Sequence, residues 1–128
     1  MAILLKIRWE IKVGREREFR ENQEKLCAVM RADHPGVICY HVDYPSAALS
    51  EWTEIYANNE VFKAHLANPK GQGPLQTLVT LCDDIVCRCW GEADAQSKEL
   101  LADFGAIYEE TAEAAYVLHP KADAKSKV

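Results

Sequence analysis

The chain predicts an α+β fold of ferredoxin-like (split βαβ) plan, an antiparallel sheet with helices on one face. Three observations carry this. Residues 2–12, 37–44, 48–57 and 85–90 alternate apolar and polar side chains with a period of two, the signature of half-buried strands. Residues 15–33 and 59–67 instead carry apolar side chains at helical spacing. The resulting order, strand–helix–strand–strand–helix–strand, is that of the split βαβ unit.

In the first strand Ile3, Leu5, Ile7, Trp9 and Ile11 share one face, while Lys6, Arg8, Glu10 and Lys12 dominate the other. Val13-Gly14 breaks it. The helix over 15–33 is rich in Glu, Arg, Lys and Gln, good helix formers, with a narrow stripe of Phe19, Leu26 and Met30 and Val29 as a further candidate. His34-Pro35-Gly36 ends it. In the second strand Ile38, Tyr40, Val42 and Tyr44 oppose Val37, Cys39, His41 and Asp43, and Pro45-Ser46 reads as a turn.

The third strand places Trp52, Glu54 and Tyr56 on one face. Asn58-Asn59 then offers a helix cap. In the helix that follows, Val61, Phe62, His65 and Leu66 form one face, and Pro69 stops it. Such a strand feeding a short helix brings His65 back over Glu54 and Tyr56, around one apolar pocket. Asn68 to Pro74 reads as a loop by composition, followed by two helical turns through Leu75, Leu78, Val79 and Cys82. In the fourth strand Val86, Arg88 and Trp90 oppose Ile85, Cys87 and Cys89. Residues 93–103 read as a helix, 104–109 and 115–118 as short strands or edge segments, and 121–128 as a polar, disordered tail. The domain division is thus 1–91, an extension 92–120 and the tail.

The chain has 128 residues, 48% hydrophobic and 27% charged, which is the make-up of one globular domain. A net charge of −5 argues against non-specific binding to nucleic acid or to anionic lipid. The opening MAILLKIRWEIK is too short and too charged for a signal peptide or a membrane span, so a cytoplasmic location is expected. The five cysteines include no CxxC and read as small buried hydrophobes, without a metal site. No GxGxxG, P-loop, HExxH, GxSxG or EF-hand pattern occurs, which leaves nucleotide-dependent chemistry without support.

Helices on one side leave the other sheet face bare. Val37, Cys39, Leu49, Ile55, Cys87 and Cys89 are expected there, too apolar to leave wet, and a second copy of the chain is the simplest cover. His41 is expected on that face as well. Lys6, Arg8 and Lys12 read as a solvated or inter-sheet charged set. His34 and His119 precede prolines in turns and receive no role.

Over residues 3–91 the chain resembles the antibiotic biosynthesis monooxygenase-like domains, which form dimeric α+β barrels. The resemblance is carried by the opening strand closing on Val13-Gly14, by Phe19, by Pro35 through Tyr40, by Glu54-Ile55-Tyr56, and above all by Val61 through Pro69. That last stretch is similar to the family's F-x-A-H-x-x-S/T-P helix. The resemblance implies a homodimer with a cavity between sheet and helices in each subunit, lined here by Ile7, Trp9, Tyr40, Trp52, Glu54, Tyr56, Phe62, His65 and Leu66. Its members include metal- and flavin-free quinol or polyketide monooxygenases, haem-degrading enzymes, isomerases of small signalling molecules and proteins without known activity. Two features depart from the family. Lys70 stands where a second histidine is often found, and Gly71 to Pro74 alters the rim. The haem-degrading branch is matched least, with Ile7 and Tyr56 at its asparagine and tryptophan positions.

The function expected is therefore a cofactor-independent monooxygenase of a quinol or polyphenol, with His65 and Glu54 catalytic and Trp9, Tyr40, Trp52, Tyr56, Phe62 and Leu66 contacting a small aromatic substrate. His65 would act as a general base or orient a phenol, and a buried Glu54 with a raised pKa would shuttle a proton. Without chemistry, Glu54 would instead pair with Arg8, Arg88 or His65. The alternatives are a non-catalytic dimeric small-ligand-binding or stress-response domain, and an isomerase of a small hydroxy-ketone.

Overall fold

The computed structural model describes residues 2–109. The elements run β1 (Ile3–Ile11), α1 (Glu16–Asp33), β2 (Val37–Ser46), β3 (Leu49–Tyr56), α2 (Asn59–Ala67), α3 (Pro69–Thr80), β4 (Cys82–Gly91), α4 (Ala95–Leu101), a 3₁₀ turn (Ala102–Phe104) and β5 (Ile107–Tyr108). The sheet order is β2-β3-β1-β4-β5, antiparallel except for β5, which lies parallel to β4. The architecture is the α+β ferredoxin-like plan predicted, and the expected 115–118 segment and the tail lie outside the described residues.

The core follows from the period-two face of β1. Ile3, Leu5, Ile7, Trp9 and Ile11 are buried and meet the α1 stripe of Phe19, Leu26 and Met30. Register then decides what joins them. Leu5 pairs with Glu54 and Cys89, and Ile7 pairs with Trp52 and Cys87. Directly paired residues share a face, so both cysteines belong to the core, not to the bare face expected for them. Val37 is corrected for a related reason: a bulge between Val37 and Cys39 turns Val37 onto the core side against Tyr56, while Ile38 turns outward. The outer face instead carries the row Cys39, Ile55, Leu4 and Trp90, flanked by Lys6, Arg8 and Arg88. His41 lies there too, opposite Thr53.

Four boundaries differ from expectation. β2 runs through Pro45 and Ser46; it is an edge strand, where a proline's missing donor costs no ladder bond. The expected loop at 69–74 is the first half of α3. Pro69 sits at the first helical position, where its lack of an N–H is harmless, and the Asn68 side chain caps the helix by accepting from the Lys70 N–H at 3.0 Å. Gly71 is buried in the α1–α3 contact, where a Cβ would come within 3.2 Å of Leu26 Cδ1. β4 also starts three residues earlier than its alternation suggested, and the 93–103 helix is shorter, closing as the 3₁₀ turn.

α4 is tied to the start of α2 by one side chain. Asn59 accepts from the Asp94 N–H at 2.9 Å and from Ser97 Oγ at 2.8 Å, and donates to the Glu92 carbonyl at 2.9 Å. Lys63 adds an ion pair to Asp94 at 2.9 Å.

Candidate active site

The site is assembled where β3 turns into α2. Strand spacing puts Trp52, Glu54 and Tyr56 on the core face, and all three are buried. Asn58 then caps α2 by accepting from the Val61 N–H at 2.9 Å, which sets the helix phase so that Phe62 and His65 point inward. β1 contributes Leu5, Ile7 and Trp9, and β2 contributes Tyr40.

Together with Leu66, Leu75, Leu101 and Phe104 these residues wall a hollow of about 20 Å³. That is room for one water, not for an aromatic ring. Eight of the nine expected lining residues surround it: Ile7, Trp9, Tyr40, Trp52, Glu54, Phe62, His65 and Leu66. The open room expected there is not present, because aromatic side chains fill it. Trp9 lies 4.9 Å from Trp52, and Tyr40 lies 5.8 Å from Trp52. Trp52 is fixed by donating its indole N–H to Ser50 Oγ at 2.8 Å.

Tyr56 stands behind this wall. Its hydroxyl donates to Glu54 in a short hydrogen bond, and its ring stacks on His65 at 5.6 Å. The cationic partners foreseen for Glu54 do not reach it: Arg8 and Arg88 lie on the opposite sheet face. With 3% of its surface exposed, Glu54 has no countercharge at hand among the described residues. Burial raises its pKa to about 7, against a smaller lowering by the Tyr56 hydrogen bond. The Tyr56 phenol is driven well above its usual value, by burial first and the nearby carboxylate second.

His65 is 5% exposed. Burial, reinforced by His34, lowers its pKa to about 3, so the ring is neutral at pH 7. His34, given no role from the sequence, packs edge-on to His65 at 5.4 Å and is held by Asn68 at 3.0 Å. Lys70, at the position of the family's second histidine, is an exposed partner of Asp33 at 3.3 Å.

Among the described residues, three buried polar atoms lack a hydrogen-bond partner: Trp9 Nε1, the Tyr40 hydroxyl and His65 Nδ1. All three residues border the same hollow. Left without a water in the hollow, each such group costs about 1–3 kcal/mol. No group of three or more His, Cys, Asp or Glu among the described residues is arranged for a metal.

Sequence reasoning missed Leu5, Leu75, Leu101 and Phe104 as lining residues. Leu5 was legible, being in phase with Ile7 and Trp9. Leu101 and Phe104 lie beyond the ferredoxin-like unit, and nothing in their local pattern tells which element they return to.

No family sequence model matches the chain, and no curated protein matches it in sequence. Solved structures do match. MupZ from Pseudomonas fluorescens superposes with a TM-score of 0.70 at 14% identity, covering 94% of this chain and 91% of its own. A Caulobacter crescentus protein named "putative antibiotic biosynthesis monooxygenase" matches with a TM-score of 0.64 at 16% identity, over 73% of this chain and 91% of that one. A Bacteroides thetaiotaomicron protein of the same name matches at 0.62 and 18%, over 67% and 84%. At these identities the likeness is one of fold. The MupZ match extends past the ferredoxin-like unit, so it takes in part of the C-terminal extension as well.

Proposed function

From the premise that the chain has the fold of the antibiotic biosynthesis monooxygenase-like domains, we propose that it is a small monooxygenase of a quinol or polyphenol, working without a cofactor. The observation that carries this is a buried carboxyl with a near-neutral pKa, set in one hollow with a neutral imidazole and unpaired phenol and indole donors.

In this reading Glu54 is the base. Taking a proton from a phenol of pKa about 10 to a carboxylate of pKa about 7 costs roughly 4 kcal/mol. That fits well within the roughly 16 kcal/mol barrier of an enzyme turning over about ten times a second. The same transfer to His65, with a pKa of about 3, costs roughly 10 kcal/mol. His65 therefore serves as a neutral hydrogen-bonding group that orients the substrate, together with Tyr40 and Trp9. The quinolate passes one electron to dioxygen and the radical pair forms a C–O bond, giving a hydroperoxide. Loss of the ring C–H proton then breaks the O–O bond. One oxygen remains as a new carbonyl and the other leaves as water, so quinol plus O₂ gives hydroxyquinone plus H₂O with no external reductant.

Oxygen uptake by the purified, metal-free protein with a panel of quinols tests this. One O₂ per quinol is expected, with kcat/KM rising as pH rises through about 7 as Glu54 ionises. Glu54→Gln should lower the rate by about 10²–10⁴-fold. An unchanged rate in Glu54→Gln removes the base, and an unchanged rate in His65→Ala removes the imidazole. The closure of the hollow favours a second reading, a non-catalytic domain whose interior is filled by its own side chains. Absence of both quinol binding and oxygen uptake would decide for it. We further propose that two copies pair across the outer sheet face.

A further inference from the structure

Beside the closed hollow lies an open groove of about 460 Å³ between α3 and the α4–3₁₀ segment. Three side chains, Leu66, Leu75 and Phe104, line both spaces. They form a partition one side chain thick between them. We propose that this groove is the outer half of the substrate site, and that Phe104 is the gate through which a flat phenolic ring reaches the hollow. This rests on the reading above that such a ring must come to Glu54.

The segment bearing Phe104 is built as a strap. At one end it is pinned by the Asn59 hydrogen bonds to Asp94, Ser97 and Glu92. At the other, the Glu109 N–H donates to the Cys89 carbonyl at 2.9 Å and Arg88 pairs with Glu109 at 2.7 Å. Between these anchors, residues 102–106 make no hydrogen bond to another element among the described residues. They are held by packing, with the Phe104 ring edge-on to Trp9 at 6.4 Å. Gly105, next to the gate, takes the left-handed conformation (φ 59°) that glycine adopts without steric cost, which suits a pivot.

The occupant follows from size and lining. The inner hollow of about 20 Å³ cannot take a ring, whereas a cavity of about 150 Å³ holds benzene. A ring can therefore enter only if the partition moves, and the groove behind it has the volume of a small-molecule site. Val79 and Leu100, 38% and 39% exposed, supply an apolar floor. Gln72, Gln76 and Thr80 offer hydrogen bonds, and the Asp103 carboxylate disfavours anionic groups. The ligand class is a neutral, fused-ring phenol bearing hydroxyl or carbonyl substituents that remain in the groove while its phenolic end passes inward.

The test is calorimetric binding of 1-naphthol to the full chain without oxygen, so that binding is read apart from turnover, with tryptophan fluorescence following the change around Trp9. Phe104→Ala should tighten binding by about tenfold, since the closed gate taxes the wild-type affinity. Val79→Arg, at an exposed groove position that no core packing depends on, should weaken it by about tenfold. Binding in that order supports the route even if no oxygen is ever consumed, an outcome that would sink only the chemistry. Equal affinity in wild type, Phe104→Ala and Val79→Arg overturns the proposal. So does an absence of naphthol binding to the wild-type chain and a folded Phe104→Ala variant alike.

Discussion

Glu54 and His65 shift in opposite directions, and a pH-dependent stability follows from the pair. Glu54 titrates near 4.5 when unfolded and about 7 when folded. Between those values the unfolded chain has lost a proton that the folded chain keeps, so stability falls as pH rises, by about 1.4 kcal/mol per pH unit. His65 titrates near 6.5 unfolded and about 3 folded. Between those values the unfolded chain holds the extra proton, so stability rises with pH at the same slope. The two cancel between about 4.5 and 6.5. Glu54→Gln should unmask the histidine, giving urea-derived stability that climbs relative to wild type from about pH 4.5 to 6.5. His65→Asn should unmask the carboxyl, giving a relative decline over the same window. Parallel curves for all three proteins would mean that neither group is perturbed by burial. The positions of both residues were legible in the sequence, because strand spacing and a capped helix start dictate them. Their opposite titration was not. It depends on which countercharges reach Glu54, and register alone puts Arg8 and Arg88 on the far face.

At the scale of elements, Asn68 joins α2 to α3. Its backbone N–H donates to the His65 carbonyl at 3.3 Å, closing α2, while its side chain accepts from the Lys70 N–H and opens α3. The same amide donates to His34 at 3.0 Å and Asp33 at 3.3 Å, linking the junction to the end of α1. Asn68→Ala removes a helix cap and should cost about 1–2 kcal/mol in chemical denaturation. It should also release His34 from its position against His65. Asn68→Ser keeps a cap acceptor without setting a second carboxylate beside Asp33 and should recover part of the stability. An alanine variant as stable as wild type would show that α3 is held by its packing on α1 alone. The sequence concealed the first half of α3 because Pro, Gly and Lys at 69–74 carry loop composition. What overrides that composition is tertiary: a proline where the first helical N–H is free anyway, and a glycine where the Leu26 side chain of α1 packs tightly against the helix. The strands were easier, since alternation survives any packing partner. Their registers were not, since the bulge at Val37/Cys39 moves Val37 to the core side without a trace in composition.

For the whole molecule the open matter is the outer sheet face. Only one row across it is apolar, Cys39, Ile55, Leu4 and Trp90. The next two rows carry His41, Thr53, Lys6 and Arg88, then Asp43, Glu51, Arg8 and Val86. A two-fold axis through such a face stacks the apolar rows or crosses the basic centre of one copy with the acidic corner of the other. Either way the proposed interface would be partly electrostatic, unlike the wholly apolar seam that the six residues expected there would have made. Self-association should therefore give a particle of twice 14.4 kDa in sedimentation at micromolar concentration, and it should weaken as salt rises. Arg8→Glu, at a side chain 55% exposed in a single copy, should leave thermal stability near wild type while shifting the equilibrium toward monomer. A 14.4 kDa particle at every concentration and salt would instead mean that a single apolar row, with Arg88 lying over the Trp90 ring at 5.0 Å, is shielded well enough to face water by itself.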